Sequence, residues 1–403
     1  MSTGTSLSGQ TLFKLLLDFF KTIPDHRDPT RIEIALKDFL MSGFAIFELK
    51  FPSLLSFEKE MRKAREFSNL KSLFSIDRAP SDTQFRSVVD MVDSDLIRPA
   101  FTKLFAVAQR AKVLEEFKIW DSSYLLSIDG TGYFFSDAVH CENCLERRHK
   151  DTGETRYHHQ MLCGSIVHPD RSTVIPLCPE AIEKQDGQTK NDCERVAMAR
   201  FLRKFRDEHP KLQITILTDA LHSTLPNLEN LKKFELRYIM GVKPSSHEKL
   251  FEGMDKWEEL NKVRIFTREE EIGDKLKKKR VHEYRYANGI LLNYQSVHQT
   301  VNFLEYWETT QWVDQKGRLQ ETRKHFSWIT DHSLYESTCE QIMRAGRTRW
   351  KIENETFNAL KNQGYEFEHN FGHGYKNLST NMAYFMMLAF LCDQLAETNP
   401  GAR

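Results

Sequence analysis

The sequence has no excess of either charge and no long apolar run. Its 403 residues include 57 Lys and Arg and 57 Asp and Glu, so the formal net charge is zero. Any nucleic-acid surface must therefore be a local patch, because the chain as a whole is not basic. No segment approaches the roughly 18 consecutive apolar residues of a membrane span. We accordingly expect no membrane partner.

Cysteine is also scarce, and the N terminus lacks the pattern of a secretion signal. The residues from Met1 to Ser6 contain no basic stretch followed by an apolar run, so we expect a cytoplasmic protein. Its seven cysteines should then be reduced thiols, because stable disulfides are rare in that compartment. The length is enough for two or three domains with ample cores.

Hydrophobic periodicity divides the chain into four segments. Residues 1–120 carry apolar residues at spacings of three and four, which predicts a helical N-terminal domain that either binds DNA or serves as a structural cap. Residues 121–244 alternate short apolar runs with helical stretches, which predicts a mixed α/β sheet. Residues 245–337 predict an inserted, mostly antiparallel β domain. Residues 338–403 complete the core and include an apolar stretch, 378–395, that predicts a buried helix.

Two aspartates of the second segment occupy informative positions. Asp129 follows the apolar run that begins at Tyr124, and Asp219 ends the short β-branched run that begins at Gln213. We predict that both lie at or just past the end of a strand, where the ligands of open α/β sheets gather. A cap or turn residue is the alternative interpretation of either aspartate taken alone.

The stretch from Arg347 to Lys361 follows helical spacing and is dense in both charges. It contains two carboxylates, Glu353 and Glu355, among cations at positions 347, 349, 351 and 361. Such a helix suits a site where metal ions and phosphate meet, although the solvated face of an ordinary amphipathic helix is the alternative. Three acids in this topological order would supply the clustered carboxylates that two hard divalent cations need.

Taken in order, Asp129-Gly130, Thr218-Asp219 and the string Arg349-Trp-Lys-Ile-Glu353 resemble the DDE transposases of bacterial insertion sequences. The similarity is to the branch whose ribonuclease H-like core is split by a β-strand insertion between the second Asp and the Glu. It covers the chain from the first predicted strand to the end. The resemblance implies an α/β fold with a ribonuclease H-like mixed sheet, a helical N-terminal domain and an inserted β domain.

The resemblance also implies a reaction and its partners. Asp129, Asp219 and Glu353 would bind two magnesium ions, for which manganese is a substitute. Water would attack the phosphodiester at a transposon end, and the freed 3′-hydroxyl would then attack target DNA. The implied partners are transposon-end DNA and target DNA, with a homodimer in the DNA complex.

The motif departs from the family pattern at two positions. The related motif usually carries Tyr seven residues before the Glu and Lys seven residues after it, where this chain has Gly346 and Leu360. Lys361 lies one position further on, rotated by roughly a quarter turn. Glu355 is therefore a competitor for the third acid, although Glu353 is preferred because it follows Arg-Trp-x-Ile in the family's order.

Two sets of residues are candidates for contacts with DNA. By the resemblance, Arg349 would contact phosphate near the cleavage site, with Lys361 as the matching cation and Arg347 beside them. The densest basic run lies in the predicted β domain, where an exposed hairpin turn is the alternative, and contains Lys275, Lys277, Lys278, Lys279 and Arg280. Three tryptophans of that domain could stack on a base flipped out of the duplex or could belong to the core, namely Trp307, Trp312 and Trp328.

A Cys-x-x-Cys pair, Cys141 and Cys144, is a candidate zinc site. Further candidate ligands near it are His140, His158, His159 and Cys163. Four ligands would come together only if the second strand returns alongside the first. A reduced pair in a hairpin loop is the alternative, because there is no second Cys-x-x-Cys. The loop from Asn370 to Gly374 does not have the pattern of a phosphate loop.

From these observations we predict a DNA transposase that cleaves phosphodiester bonds at transposon ends and joins the 3′-hydroxyl to target DNA. One rival hypothesis is a metal-dependent nuclease on the same core that cleaves DNA without joining it. The other is a non-catalytic DNA-binding derivative of such an enzyme, whose activity would survive substitution of the acids.

Overall fold

Short apolar runs of the sequence become strands and the longer amphipathic stretches become helices, which makes the chain mixed α/β. The structure, a computed structural model, describes residues 7–63, 69–149, 151–184, 190–272, 278–293, 299–314 and 316–398. Within those residues, no helix has the length and apolar character needed to cross a membrane.

The chain divides into two compact units. Unit 1 comprises Met1–Lys118, Ile128–Pro210 and Trp350–Arg403, and unit 2 comprises Ile119–Ser127 and Lys211–Arg349. The predicted N-terminal domain therefore lies in the same unit as part of the predicted core. Up to Pro210 the elements are α1 (Gly9–Phe20), α2 (Leu36–Glu48), α3 (Leu54–Lys63), α4 (Asn69–Phe74), α5 (Asp82–Val89), α6 (Pro99–Arg110), β1 (Tyr124–Ser136), β2 (Leu145–Arg148), β3 (Thr155–Val167), β4 (Ile175–Pro176), β5 (Glu180–Ile182) and α7 (Lys190–Glu208).

Unit 2 continues with alternating strands and helices and then a run of long strands. Its elements are β6 (Ile214–Thr218), α8 (Leu225–Lys233), β7 (Arg237–Gly241), α9 (Glu248–Glu259), β8 (Arg264–Ile272), β9 (Lys278–Leu291), β10 (Thr300–Val313), β11 (Leu319–Thr330) and α10 (Glu336–Arg347). The chain then returns to unit 1 and ends with α11 (Asn358–Asn362) and α12 (Leu378–Glu397).

Eleven strands of the described residues form one mixed sheet. In unit 1, β3 lies beside β1 and pairs antiparallel with β2, β4 and β5. In unit 2, the first residues of β1 pair in parallel with β6, and β6 pairs in parallel with β7. The long strands follow in the antiparallel order β7-β11-β10-β9-β8. The predicted antiparallel β region is thus an extension of β7 through β11.

One predicted strand boundary is wrong. Asp129 was predicted at the end of the first strand because the apolar run ends there, but β1 continues through Gly130 and Gly132 to Ser136. The aromatic residues at positions 133–135 extend the strand, because their side chains favour a pleated, half-buried surface. Asp129 therefore lies inside β1. Asp219 comes directly after the last residue of β6, as predicted.

The stretch from Arg347 to Lys361 is helical, but it is not a single α-helix. A 3₁₀ turn at Thr348–Trp350 follows α10, and a π-helix at Ile352–Phe357 precedes α11. Because these segments turn by different angles per residue, spacing by four no longer places two residues on one face. Trp350 is 45% exposed, whereas Ile352 is buried. Short π-helices occur frequently at functional sites.

Helix α12 is buried on nearly all sides, as its composition predicts. Its Phe385 contacts Phe20 of α1 edge to face, with ring centroids 6.3 Å apart. Phe385 also fills the space beside α2, where a Cβ atom on Gly43 would lie 2.5 Å from the ring. The N-terminal helices and α12 therefore share one core, which favours the structural role for these helices.

The start of α12 is held by a carboxylate from outside the helix. Asp90, which is 8% exposed and follows α5, accepts hydrogen bonds from four consecutive backbone amides at distances of 2.9–3.0 Å. They belong to Tyr375, Lys376, Asn377 and Leu378. A negative charge at a helix N terminus satisfies unpaired N–H groups and interacts favourably with the helix dipole.

We expect Asp90→Ala to lower the free energy of unfolding by about 2 kcal/mol or more, because several buried amides lose their acceptor. Asp90→Asn should cost less, since the amide oxygen still accepts hydrogen bonds. Urea denaturation monitored by circular dichroism measures both changes. Asp18→Ala is the matched control, because Asp18 forms only an exposed pair with Lys21. Equal stability of Asp90→Ala and Asp18→Ala would contradict the assignment.

Candidate metal centre and the predicted acidic residues

Four soft donor groups converge in unit 1. Cys141 and Cys144 lie in the connection between β1 and β2, His159 lies on β3, and His373 lies in the loop between α11 and α12. Their ligand atoms all lie within 4.8 Å of one another. Among the described residues, these four form the only such group of three or more His, Cys, Asp or Glu side chains.

The contacts within this cluster are short. Cys141 Sγ lies 3.9 Å from Cys144 Sγ and 3.5 Å from His159 Nε2. Cys144 Sγ lies 3.4 Å from His159 Nε2 and 3.2 Å from His373 Nε2. The two Nε2 atoms are 3.1 Å apart. The donors thus point at a common centre.

Both imidazoles of the cluster are buried, and a hydrogen bond orients the ring of His373. Each histidine is 5% exposed and Cys144 is 1% exposed. The Nδ1–H of His373 donates to the carbonyl of Gly374 at 2.8 Å, so the Nε2 of the neutral ring carries a lone pair. Phe134 of β1 covers both rings, at centroid distances of 4.5 Å to His373 and 5.7 Å to His159. The cluster is therefore largely shielded from water.

The structure changes the set of candidate zinc ligands. Cys141, Cys144 and His159 belong to the cluster, whereas the other three candidates near them do not. His140 is exposed and stacks on Tyr157, His158 stacks on Phe135, and Cys163 is buried on β3. His373 was not among the predicted ligands, because nothing local in the loop from Asn370 to Gly374 shows that it lies beside Cys144, 229 residues away.

Asp129 and Asp219 belong to different units and are both half-buried. Each accepts a hydrogen bond of 2.9 Å from a nearby backbone amide, that of Gly130 for Asp129 and that of Leu221 for Asp219. A Cβ atom on Gly130 would lie 2.8 Å from the carboxyl carbon of Glu194, which is 6% exposed. The Asp-Gly pair therefore leaves room for a second acid next to Asp129.

Glu194 was not among the residues predicted from the sequence. Its signal would have been an acid on the inward face of α7, since it lies four residues before Met198, which is 1% exposed. Positions four apart on a helix lie on the same face.

The two competing glutamates lie in the π-helix but differ in environment. Glu353 is exposed, whereas Glu355 is half-buried. Burial lowers the pKa of Lys351, and the negative charges of Glu355 and Asp170 oppose that shift. Lys351 also donates a hydrogen bond to the carbonyl of Arg171. The charge of Glu355 thus partly offsets the effect of burial on the pKa of Lys351.

Two serines of the sheet, Ser127 and Ser165, form hydrogen bonds with the segment that carries Arg349 and Glu353. In unit 2, Ser127 of β1 donates to the backbone carbonyl of Arg349 at 2.9 Å. In unit 1, Ser165 of β3 and Thr356 of the π-helix are hydrogen bonded at 3.0 Å. Both hydroxyls of the second pair are buried. The segment that carries Arg349 and Glu353 is thus fixed at both ends.

Two of the cations proposed to contact DNA near the cleavage site form ion pairs within the protein. Arg347 donates to Glu308 at 2.8 Å and lies 5.0 Å from the ring centroid of Phe326. Burial raises the pKa of Glu308, but the hydrogen bond and charge of Arg347 hold it below its usual value. Lys361 lies 2.7 Å from Glu368.

The described part of the predicted basic run lies at the start of β9, and two of its three cations form ion pairs. Lys279 pairs with Glu269 at 2.9 Å, and Arg280 pairs with Glu270 at 2.8 Å, both across the β8–β9 hairpin. Lys278 is exposed. Lys275 and Lys277 lie outside the described residues.

The tryptophans differ in their access to solvent. Trp328 is 5% exposed and stacks on Phe326, so it is a core residue. Trp307 is half-buried and stacks on His325 at 4.6 Å, and Trp312 is half-buried. A base-stacking role therefore remains a prediction for Trp307 and Trp312 only.

No protein-family model matches this sequence, and no curated protein shows significant similarity to it.

We expect Gly346→Ala to lower the free energy of unfolding by about 1–3 kcal/mol, as overpacking does. A Cβ atom on Gly346 would lie 2.5 Å from Nε1 of Trp328, which occupies the space that a larger residue would need. Gly9→Ala is the control, because its Cβ would make contacts of 3.6 Å or more. Chemical denaturation compares the two, and equal stability would show that Trp328 moves freely.

Proposed function

We propose that the protein is a metal-dependent DNA transposase with two-metal DDE chemistry on a ribonuclease H-like core. The observation that carries the proposal is the register of the parallel strands. Ser127 of β1 is paired with Leu217 of β6. Each member of that pair is followed two residues later in the chain by an aspartate, Asp129 or Asp219, and the ligands of open α/β sheets gather beyond the carboxyl ends of such strands.

The arrangement of the third motif supports the same proposal. Arg349 is tied through its backbone carbonyl to Ser127, two residues before Asp129 on the same strand. Glu353 follows Arg349 by four residues and is exposed in a π-helix, a conformation frequent at functional sites. The motif that resembles the transposase signature is thus attached to the strand that carries the first acid.

The donor set fits magnesium. All three acids offer carboxylate oxygens, which are the ligands that this hard cation prefers. Asp129 and Asp219 are half-buried and Glu353 is exposed, so water and phosphate have access to them. Two bound magnesium ions supply activation of the attacking hydroxyl and stabilisation of the leaving oxygen.

Residues of the chain would hold the metal ions, bind the DNA phosphate and maintain the π-helix. Asp129, Asp219 and Glu353 would hold the ions through their carboxylates. Arg349 would bind a phosphate beside the scissile bond and fix the position of the DNA. Glu355 would maintain the fold of the π-helix through Lys351. Transposon-end DNA would be the first substrate, and target DNA would be the partner in the joining step.

The experiment measures magnesium-dependent cleavage and joining of the DNA that flanks this coding sequence in its element. Asp129→Asn, Asp219→Asn and Glu353→Gln should each lower both rates by about 100-fold or more, because each removes a metal ligand. Glu355→Gln is the matched control on the same helix and should retain joining. DNA binding and thermal unfolding, measured in parallel, separate lost chemistry from lost fold.

Each other outcome has a definite meaning. Cleavage without joining by the wild type would favour the nuclease. Full activity in all the acid variants would refute the proposed chemistry. Inactive Glu355→Gln together with active Glu353→Gln would move the third acid to Glu355.

A second prediction concerns the arginines. Arg349→Ala should weaken DNA binding and reduce the dependence of the logarithm of affinity on the logarithm of salt concentration by about one unit, as loss of one phosphate contact does. Arg347→Ala should in addition lower the free energy of unfolding, because it leaves the buried Glu308 without its closest cation. Fluorescence anisotropy across a salt series and urea denaturation measure these effects. An unchanged salt dependence in Arg349→Ala would remove this residue from the DNA surface.

A further inference from the structure

We propose that Cys141, Cys144, His159 and His373 bind one zinc ion, which fixes the loop after the Glu-bearing π-helix to strand β3 and to the connection between β1 and β2. The proposal concerns a site separate from the acids, and it does not depend on the proposed transposase activity.

The geometry of the donors matches tetrahedral zinc. With Zn–S near 2.3 Å and Zn–N near 2.05 Å, the edges of a tetrahedron are about 3.8 Å for S–S, about 3.5 Å for S–N and about 3.3 Å for N–N. In the cluster the S–S distance is 3.9 Å, three S–N distances are 3.2–3.5 Å and the N–N distance is 3.1 Å, and the remaining pair, Cys141 Sγ and His373 Nε2, lies within 4.8 Å. A single cation at the centre would therefore reach all four atoms with little rearrangement.

The chemistry of the donors selects the metal and its role. Thiolate and imidazole ligands favour zinc over magnesium, which prefers oxygen. Four protein ligands complete a tetrahedral shell and leave no open position for water, so the site is structural. The hydrogen bond from His373 Nδ1 to Gly374 fixes the ring with its Nε2 free to bind the metal, as outer-shell partners of metal-bound histidines do.

The cluster joins segments that are far apart in the chain, so a bound ion would stabilise unit 1. Phe134, which covers both imidazoles, lies on β1 five residues after Asp129. His373 follows the π-helix of Glu353 in the chain and lies one residue before Gly374, against which the Asp90 carboxylate packs. Cys144 and His373 are 229 residues apart. A metal that closes so long a loop restricts the unfolded chain strongly, so zinc should stabilise unit 1.

The test measures zinc in the purified full-length protein by mass spectrometry after dialysis against a weak chelator. We expect about one zinc per chain in the wild type. His373→Ala and Cys144→Ser should lower that content at least several-fold, and His140→Ala, on an exposed histidine beside the site, should not. Asp129→Ala should also keep its zinc, which separates this result from any failure of the transposase proposal.

A spectroscopic measurement covers the case in which a ligand variant fails to fold. Cobalt exchanged into the wild type should give the intense visible bands of a tetrahedral site together with thiolate-to-cobalt charge transfer. Removal of the metal should lower the thermal midpoint by about 5 °C or more, and added zinc should restore it. Stoichiometric loss of both thiols to a Cys141–Cys144 disulfide, or a wild type that takes up neither zinc nor cobalt, would overturn the proposal.

Discussion

The structure of unit 1 depends on the burial of α12, a helix that is apolar on nearly every side. Such a helix is stable in water only when other elements cover its whole circumference. Helices α1, α2 and α6 supply part of that cover, and Gly43 lets α2 approach Phe385 closely. The N-terminal segment therefore cannot be treated as an independent module, because its apolar faces are completed by the last helix of the chain.

The same burial determines where the loop before α12 lies. Asp90 holds the first amides of the helix, and that contact fixes Gly374 and its neighbour His373. Metal coordination and helix capping would thus act on adjacent residues of one loop. The Cys/His cluster and the acids offer donors of opposite character, soft in the first case and hard in the second, so the two proposed sites would select different ions without competition.

The chain has equal numbers of acidic and basic residues, and several of its cations form ion pairs with carboxylates. The two pairs across the β8–β9 hairpin, Lys279 with Glu269 and Arg280 with Glu270, are largely exposed, and exposed ion pairs contribute little to stability. The pair of Arg347 with the buried Glu308 is different, because it compensates a carboxylate that has lost most of its water.

The sequence alone determined features that depend on local pattern: the mixed α/β class, the burial of α12 and the position of Asp219 directly after β6. It could not find His373 as a partner of Cys141 and Cys144, because that contact depends on the packing of α12 and joins residues far apart in the chain. It also predicted Asp129 at a strand end, because the apolar run stops there, whereas β1 continues through Gly130, which lies beside Glu194. Only tertiary packing decided the position of His373 and the extent of β1. Both depend on which side chains are buried together and on the space between them, and local sequence pattern does not encode either.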